Sequence, residues 1–249
     1  LYSGGQDHFY LEGQISMTIP QEDNNFLVYA STQHPSETQQ IVAKSINQKF
    51  NSIKVKVRRI GGGFGGKETQ SFIFSVISTL LSKHTNKPVK LKIDRDDDMI
   101  ITGKRHDFYY KYKVGFREDG CINGLKIMLA SRCGFSPDLS GAINDRAIFH
   151  IDNAYYIPTI DLISYRCKTN TVSNTAFRGF GGPQGMYCIE NIIENISEFF
   201  QLSLTFGKFW LCIEVSFPKR LCHASSAVKH RIGANKVNKW LKRIEEMKL

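Results

Sequence analysis

Residues 53–84 read IKVKVRRIGGGFGGKETQSFIFSVISTLLSKH, and three regimes succeed one another along that stretch. From Ile53 to Ile60 apolar and basic residues alternate, the period of a strand with one buried face. Residues 61–66 are five glycines around Phe64, a loop whose backbone can enter regions closed to other residues. From there through about residue 84 the pattern reads as a helix. Strand, glycine loop and helix in that order place a backbone-rich turn at the edge of a sheet.

The neighbouring segments extend this pattern. FLVYAS (26–31) is a short β-rich run, and residues 36–50 read as a helix, with Val42, Ile46 and Phe50 four apart and Ser36 as N-cap. Residues 89–94 repeat the apolar–lysine alternation of a strand. Residues 108–116 and 122–130 read as two further strands joined by a turn at 118–120. A second glycine loop, RGFGGPQ (178–184), leads into a helix of about 185–200 striped by Ile189, Ile192, Ile193, Ile196, Phe199 and Phe200. Interleaved strands and helices with antiparallel hairpins give an α+β class, mixed sheets with packed helices rather than one parallel sheet.

The whole chain has 249 residues, 41% hydrophobic and 22% charged, a globular composition with no run of the ~18 apolar residues a membrane span needs. Its net charge of +10 is uneven. Residues 201–249 hold ten Lys/Arg against three Asp/Glu, leaving 23 basic and 20 acidic side chains in the first 200. The basic excess therefore belongs to a tail, where Val237, Trp240, Leu241, Ile244 and Met247 fall at helical spacing. No RNA-reading aromatic motif accompanies it, so nucleic acid is not the expected partner. The division expected is a domain over 1–202 and a basic amphipathic tail over 203–249. Six scattered cysteines (121, 133, 167, 188, 212, 222) contain no C-x-x-C pair, which argues against zinc, iron–sulfur or dithiol sites and for reduced thiols. The start at Leu1, with neither a basic nor an apolar leader, is expected of a piece of a longer protein.

Chemistry concentrates in the two glycine loops. GGGFGGKE (61–68) departs from the phosphate-loop pattern where Glu68 replaces the magnesium-binding hydroxyl, so a nucleotide-hydrolysing reading is weak. A loop feeding a helix would still offer backbone N–H groups to an anion. The second loop carries Arg178 and Phe180. Two such loops are expected to share a cleft, where glycine admits a flat ligand, an aromatic stacks on it, and Glu and Arg recognise a polar heterocycle.

At this level of detail a family likeness emerges. The segments GGQDHFYLE (4–12), STQ (31–33), RIGGGFGGKET (59–69), ITGKRH (101–106) and NTAFRGFGGPQ (174–184) resemble, in order and spacing, the molybdenum-cofactor domain of the xanthine dehydrogenase family. The likeness runs over about residues 3–202. It implies that the chain is the first part of a molybdopterin-binding domain, incomplete, bearing molybdopterin with molybdenum. Gln33, Phe64, Gly65, Ala176, Phe177 and Arg178 match the family's cofactor contacts, with Gln33, Phe64 and Arg178 around the metal. Glu68, Arg146 and Phe180 match the residues that grip a purine, so xanthine and hypoxanthine are the implied substrates, hydroxylated with water as the oxygen source. The family's general base is a glutamate in a Gly-Glu pair, and this chain has no such pair. The base, the [2Fe-2S] and FAD modules and a homodimeric partner are thus expected in a longer protein, cytoplasmic or peroxisomal, and not in this chain. An aldehyde-oxidising relative and an inactive purine- or cofactor-binding product stay open beside this reading.

Overall fold

The structure, a computed structural model, describes residues 1–200. The basic amphipathic tail expected at 203–249 lies outside the described residues. The described elements are β1 (Tyr2–Ser3), β2 (Ile15–Pro20), β3 (Phe26–Ala30), α1 (Pro35–Ser45), β4 (Ile53–Lys56), α2 (Phe72–Thr85), β5 (Val89–Lys92), α3 (Arg95–Ile101), β6 (Phe108–Phe116), β7 (Ile122–Gly134), α4 (Ser140–Phe149), β8 (Ile160–Lys168) and α5 (Gly182–Phe199). They form two four-stranded sheets, ordered β4-β3-β2-β5 and β1-β6-β7-β8. In the first, β2 pairs antiparallel with β3 and β5 while β3 pairs parallel with β4, so the mixed α+β expectation holds.

The chain divides into two compact units. The first comprises Leu1–Tyr112, Ile127–Ile151 and Asp161–Ile189. Among the described residues the second comprises Lys113–Lys126, Asp152–Ile160 and residues 190–200. Within the second, Phe116 packs edge-on against Phe199 and Phe200, and the Leu125 N–H donates to the Thr159 carbonyl at 2.9 Å.

In the first unit the alternation of β3 buries Phe26, Val28 and Ala30 against Val42, Ala43 and Ile46 from α1 and its end and Ile53 of β4. Helix α2 packs on the sheet largely through small hydroxyl side chains. It buries Phe72 and Phe74 in its first turn and then Ser75, Ser78, Thr79 and Ser82, while Ile73, Ile77, Leu80 and Leu81 are exposed. The small hydroxyls bring α2 close to the sheet: Thr18 Oγ1 lies 2.9 Å from Ser78 Oγ and 3.0 Å from Thr79 Oγ1, and Ser16 Oγ lies 3.1 Å from Ser78 Oγ. Each buried hydroxyl thereby has a partner, which burial requires.

Boundaries moved where local chemistry overruled periodicity. Helix α1 starts at Pro35, whose fixed φ suits a first helical position, and ends at Ser45, so Ser36 is not its cap and Phe50 falls outside it. Strand β4 stops at Lys56, four residues short of Ile60. Helix α5 begins at Gly182, inside the glycine loop. Among the described residues Cys121, Cys133, Cys167 and Cys188 are free thiols, and no helix is long and apolar enough to cross a membrane.

His106 ties this unit to pH. Its Nε2 lies 2.7 Å from Ser140 Oγ, and burial pushes the imidazole down to about 4. An unfolded histidine titrates near ~6.5, so the folded state binds fewer protons between the two values. The stabilisation from a neutral His106 is therefore complete above the unfolded value and lost as the pH falls toward the folded one, about 3 kcal/mol in all. Urea unfolding at about pH 7 and about pH 4.5 should show this loss in the parent and a visibly smaller one in His106→Gln.

Candidate functional site

The first glycine loop does not sit on a helix N-terminus, because α2 begins only at Phe72. Residues 63–72 run instead through successive turns, with Gly66 N–H donating to the Gly63 carbonyl at 2.8 Å and Phe72 N–H to that of Thr69 at 3.1 Å. Two loop amides that an anion would have used are taken: Gly65 and Lys67 donate their N–H groups to Oε1 of Gln33 at 2.9 and 3.2 Å. Two N–H donors demand an oxygen, which fixes the carboxamide and turns its Nε2 outward. Gln33 itself is exposed, and Nε2 has no partner among the described residues.

Lys67 is not a phosphate-binding lysine either. It is 0% exposed, and its ammonium donates to the Glu12 carbonyl at 2.6 Å and to Ser31 Oγ at 2.8 Å, above the Tyr10 ring at 4.6 Å. Burial lowers its pKa, against the pull of Glu12 and Asp98.

The two glycine loops meet. The Arg178 N–H donates to the Phe64 carbonyl at 2.9 Å. Gly65, at φ +98°, lies so close to Ala176 that a Cβ would come within 2.7 Å of its carbonyl. A Cβ on Gly63 would likewise fall 2.5 Å from Gln33 Oε1. Both loops hold a phenylalanine in the left-handed region, Phe64 at φ 52° and Phe180 at φ 49°, a conformation costing roughly 1–2 kcal/mol without glycine. Phe64 remains 49% exposed, so its strain is not repaid by burial. Such strain persists where the surroundings over-determine it, commonly at ligand sites.

Gln33, Phe64, Gly65, Ala176, Phe177 and Arg178 thus form one constellation. Three residues that sequence reading left unassigned hold it. His8 Nε2–H donates to the Ala176 carbonyl at 2.6 Å, and its ring lies 4.8 Å from that of Phe177. Burial lowers the His8 pKa, favouring the neutral ring. Arg105 places its guanidinium 3.9 Å over the Phe177 ring and donates to the Arg178 carbonyl at 2.8 Å. Lys67 is the third. His8 and Arg105 stood inside the quoted segments GGQDHFYLE and ITGKRH, and the available signal was a polar residue amid otherwise small or aromatic neighbours.

The other three candidates are placed as follows. Glu68 is half-buried one turn beyond Gly65, and burial raises its pKa, with His34 lowering it and Asp138 and Glu37 raising it further. Phe180 is half-buried in the second loop. Arg146 is exposed on α4, whose Ile143 and Ala147 carbonyls would lie 2.0 and 2.2 Å from Cβ atoms on Gly181 and Gly185. Helix α4 therefore abuts the loop that carries Phe180. No hydrogen bond, ion pair or ring contact joins Arg146 to Glu68 or to Phe180, and the Arg146 guanidinium has no partner among the described residues.

Comparison with known proteins bears on this geometry. The family described as molybdopterin cofactor-binding domain matches residues 1–204. Xanthine dehydrogenase of Dictyostelium discoideum is 47% identical over 195 residues, 78% of this chain and 14% of that protein. Xanthine dehydrogenase/oxidase of Mus musculus is 50% identical over 191 residues, 76% of this chain and 14% of that protein. The chain thus spans about one seventh of the curated relatives it matches. Among solved structures, the aldehyde oxidoreductase of Desulfovibrio gigas aligns with a TM-score of 0.76 at 21% identity, over 88% of this chain and 23% of that one. Reconstituted CO dehydrogenase of Oligotropha carboxidovorans aligns at 0.78 and 18% identity, over 98% and 32% of the two chains. At such identities the structural likeness speaks to the fold.

Proposed function

The chain belongs to the molybdopterin cofactor-binding domain family, and from that premise we propose that it is the first part of the molybdenum domain of a purine hydroxylase acting on xanthine and hypoxanthine. The observation that carries the cofactor reading is the Gln33 carboxamide, its oxygen held by Gly65 and Lys67 and its NH2 free, beside an exposed Phe64 on a glycine cradle. Such a cradle suits a planar cofactor approached by backbone and one outward amide donor. Gln33, Phe64, Gly65, Ala176, Phe177 and Arg178 would hold it. When bound, the molybdenum cofactor supplies the two-electron chemistry that moves an oxygen from water onto a ring carbon.

The chain's own residues orient the purine and manage its charge. Glu68, half-buried and raised in pKa by that burial, is suited to hydrogen-bond a ring nitrogen or hand it a proton. The Arg146 guanidinium, with no partner among the described residues, is suited to offset the negative charge that builds on the ring. Phe180 would stack on the heterocycle. Support for purines over aldehydes comes from this trio and from relatives that bear the name xanthine dehydrogenase. The general base, the [2Fe-2S] and FAD modules, the second copy of a homodimer and a cytoplasmic or peroxisomal setting all belong to this proposal as properties of a longer protein.

The test is elemental analysis of the protein isolated from its native source. Molybdenum equal to the chain content, with xanthine turned over faster than a simple aldehyde, is expected. Chains without molybdenum would overturn the reading, and aldehyde preferred over xanthine would overturn its purine part.

A further inference from the structure

Lys67 contacts three consecutive residues of the opposite segment. Its ammonium donates to Ser31 Oγ at 2.8 Å, its carbonyl accepts from Thr32 Oγ1 at 3.2 Å and from the Gln33 N–H at 2.8 Å, and its own N–H donates to Gln33 Oε1 at 3.2 Å. Ser71 Oγ reinforces the arrangement, lying 3.2 Å from the same Lys67 carbonyl and 2.9 Å from Thr32 Oγ1, with its one proton available to either. The ammonium is anchored below by the Glu12 carbonyl at 2.6 Å, with the Glu12 carboxylate 3.7 Å away. That carboxylate is in turn fixed by Ser31 Oγ at 3.1 Å and the Gly61 N–H at 2.6 Å. A fully buried lysine is rare unless paired, and through the Glu12 carboxylate this one links the loop's start at Gly61 to its end at residue 67.

We propose that Lys67 is a positioning residue: its buried ammonium, gripped by Glu12 and Ser31, locks residues 65–67 against residues 31–33, so that the Gln33 oxygen stays turned inward and its NH2 faces the cofactor. The part of this that concerns the cofactor rests on the function proposed above; the locking itself does not. Without the ammonium, the bonds to the residue-67 carbonyl remain, but the tie to Glu12 and Ser31 is lost, so the Gly65 and Lys67 N–H groups are held less firmly on Gln33 and the carboxamide is freer to turn. A buried charge acting in this way sets the direction of a neighbouring group rather than merely adding stability.

Hydrogen exchange in the 15N-labelled 249-residue chain separates these roles, using Lys67→Met, which keeps the length of the side chain and removes its charge. The Gly65 and Lys67-position amides are expected to exchange about ten-fold faster or more, while the Val28 amide in the first sheet keeps its parent rate. Unchanged exchange at 65 and 67 overturns the proposal. So does acceleration of all three amides by one common factor, the signature of a general loss of stability. Should Lys67→Met fail to fold, Ser31→Ala, which removes one of the two anchors, is read by the same criteria. No cofactor enters the measurement, so native protein without molybdenum would sink the function proposed above and leave the exchange result standing.

Discussion

Gly181→Ala is expected to cost the first unit about 3–5 kcal/mol, the range of the severe single substitutions. Two causes add. Gly181 holds φ at +94°, where a Cβ is strained wherever it points. That Cβ would also fall 2.0 Å from the Ile143 carbonyl oxygen and 3.2 Å from the Ala147 nitrogen, both backbone atoms of α4. A side chain can rotate away from such an overlap, but a helix backbone must be displaced as a whole. Since domains are stable by only ~5–15 kcal/mol, the variant should unfold at a much lower urea concentration than the parent. Gly141→Ala is the internal control, because nothing lies within 4 Å of its Cβ at the start of the same helix. It should fall within about 1 kcal/mol of the parent, on the stabilising side. Equal urea midpoints for Gly181→Ala and the parent would mean that α4 and the second loop do not approach as described.

The second large effect concerns chemistry. In the full-length protein, Glu68→Gln is expected to lower xanthine kcat/KM by roughly 10²–10³, the loss typical of a group that stabilises charge in the transition state. Molybdenum content should be retained, because Glu68 lies outside the six residues that form the cofactor constellation. The raised pKa of Glu68 adds a signature: as a proton donor it is active when protonated, so the parent profile should show activity falling as pH rises through a point above the ordinary carboxylate range, and that limb should vanish in the variant. Unchanged xanthine kinetics would remove Glu68 from the proposed mechanism, while loss of the metal would reassign it to the cofactor.

How much of this was legible in the residues alone follows from what burial does to each pattern. Strand β3 was readable as a short β-rich run, β4 and β5 because they alternate, and α5 because its isoleucines repeat at helical spacing. Helix α4 was missed: its buried face includes Ser140 and Asn144, polar groups that break the apolar stripe. Strand β8 is mostly exposed on both faces and presents no alternation to read. Helix α2 was legible as a helix but not in its start, which falls at Phe72 after a series of turns, nor in its buried hydroxyls, which Ser16 and Thr18 partner while Ile73, Ile77, Leu80 and Leu81 stay exposed. The glycine loops were evident, but not that a Gln33 oxygen would take the first loop's amides. The lock on Gln33 is built from Lys67, Glu12 and Ser31, and nothing in their spacing announces that a lysine will be buried.

The meeting of the two glycine loops also dictates an order of events during synthesis. Every residue of the sheet β4-β3-β2-β5 and of its two covering helices has been made once residue 92 leaves the ribosome. His8 then waits 168 positions for the carbonyl of Ala176. Contacts so distant in the chain are the slowest to close. A nascent chain interrupted before residue 176 holds the complete first sheet and one exposed wall of the site, with its left-handed Phe64 lacking the opposing loop. A flat ligand held by both loops would therefore find its complete cradle only once residue 178 has been made, and until then the half-site stands exposed.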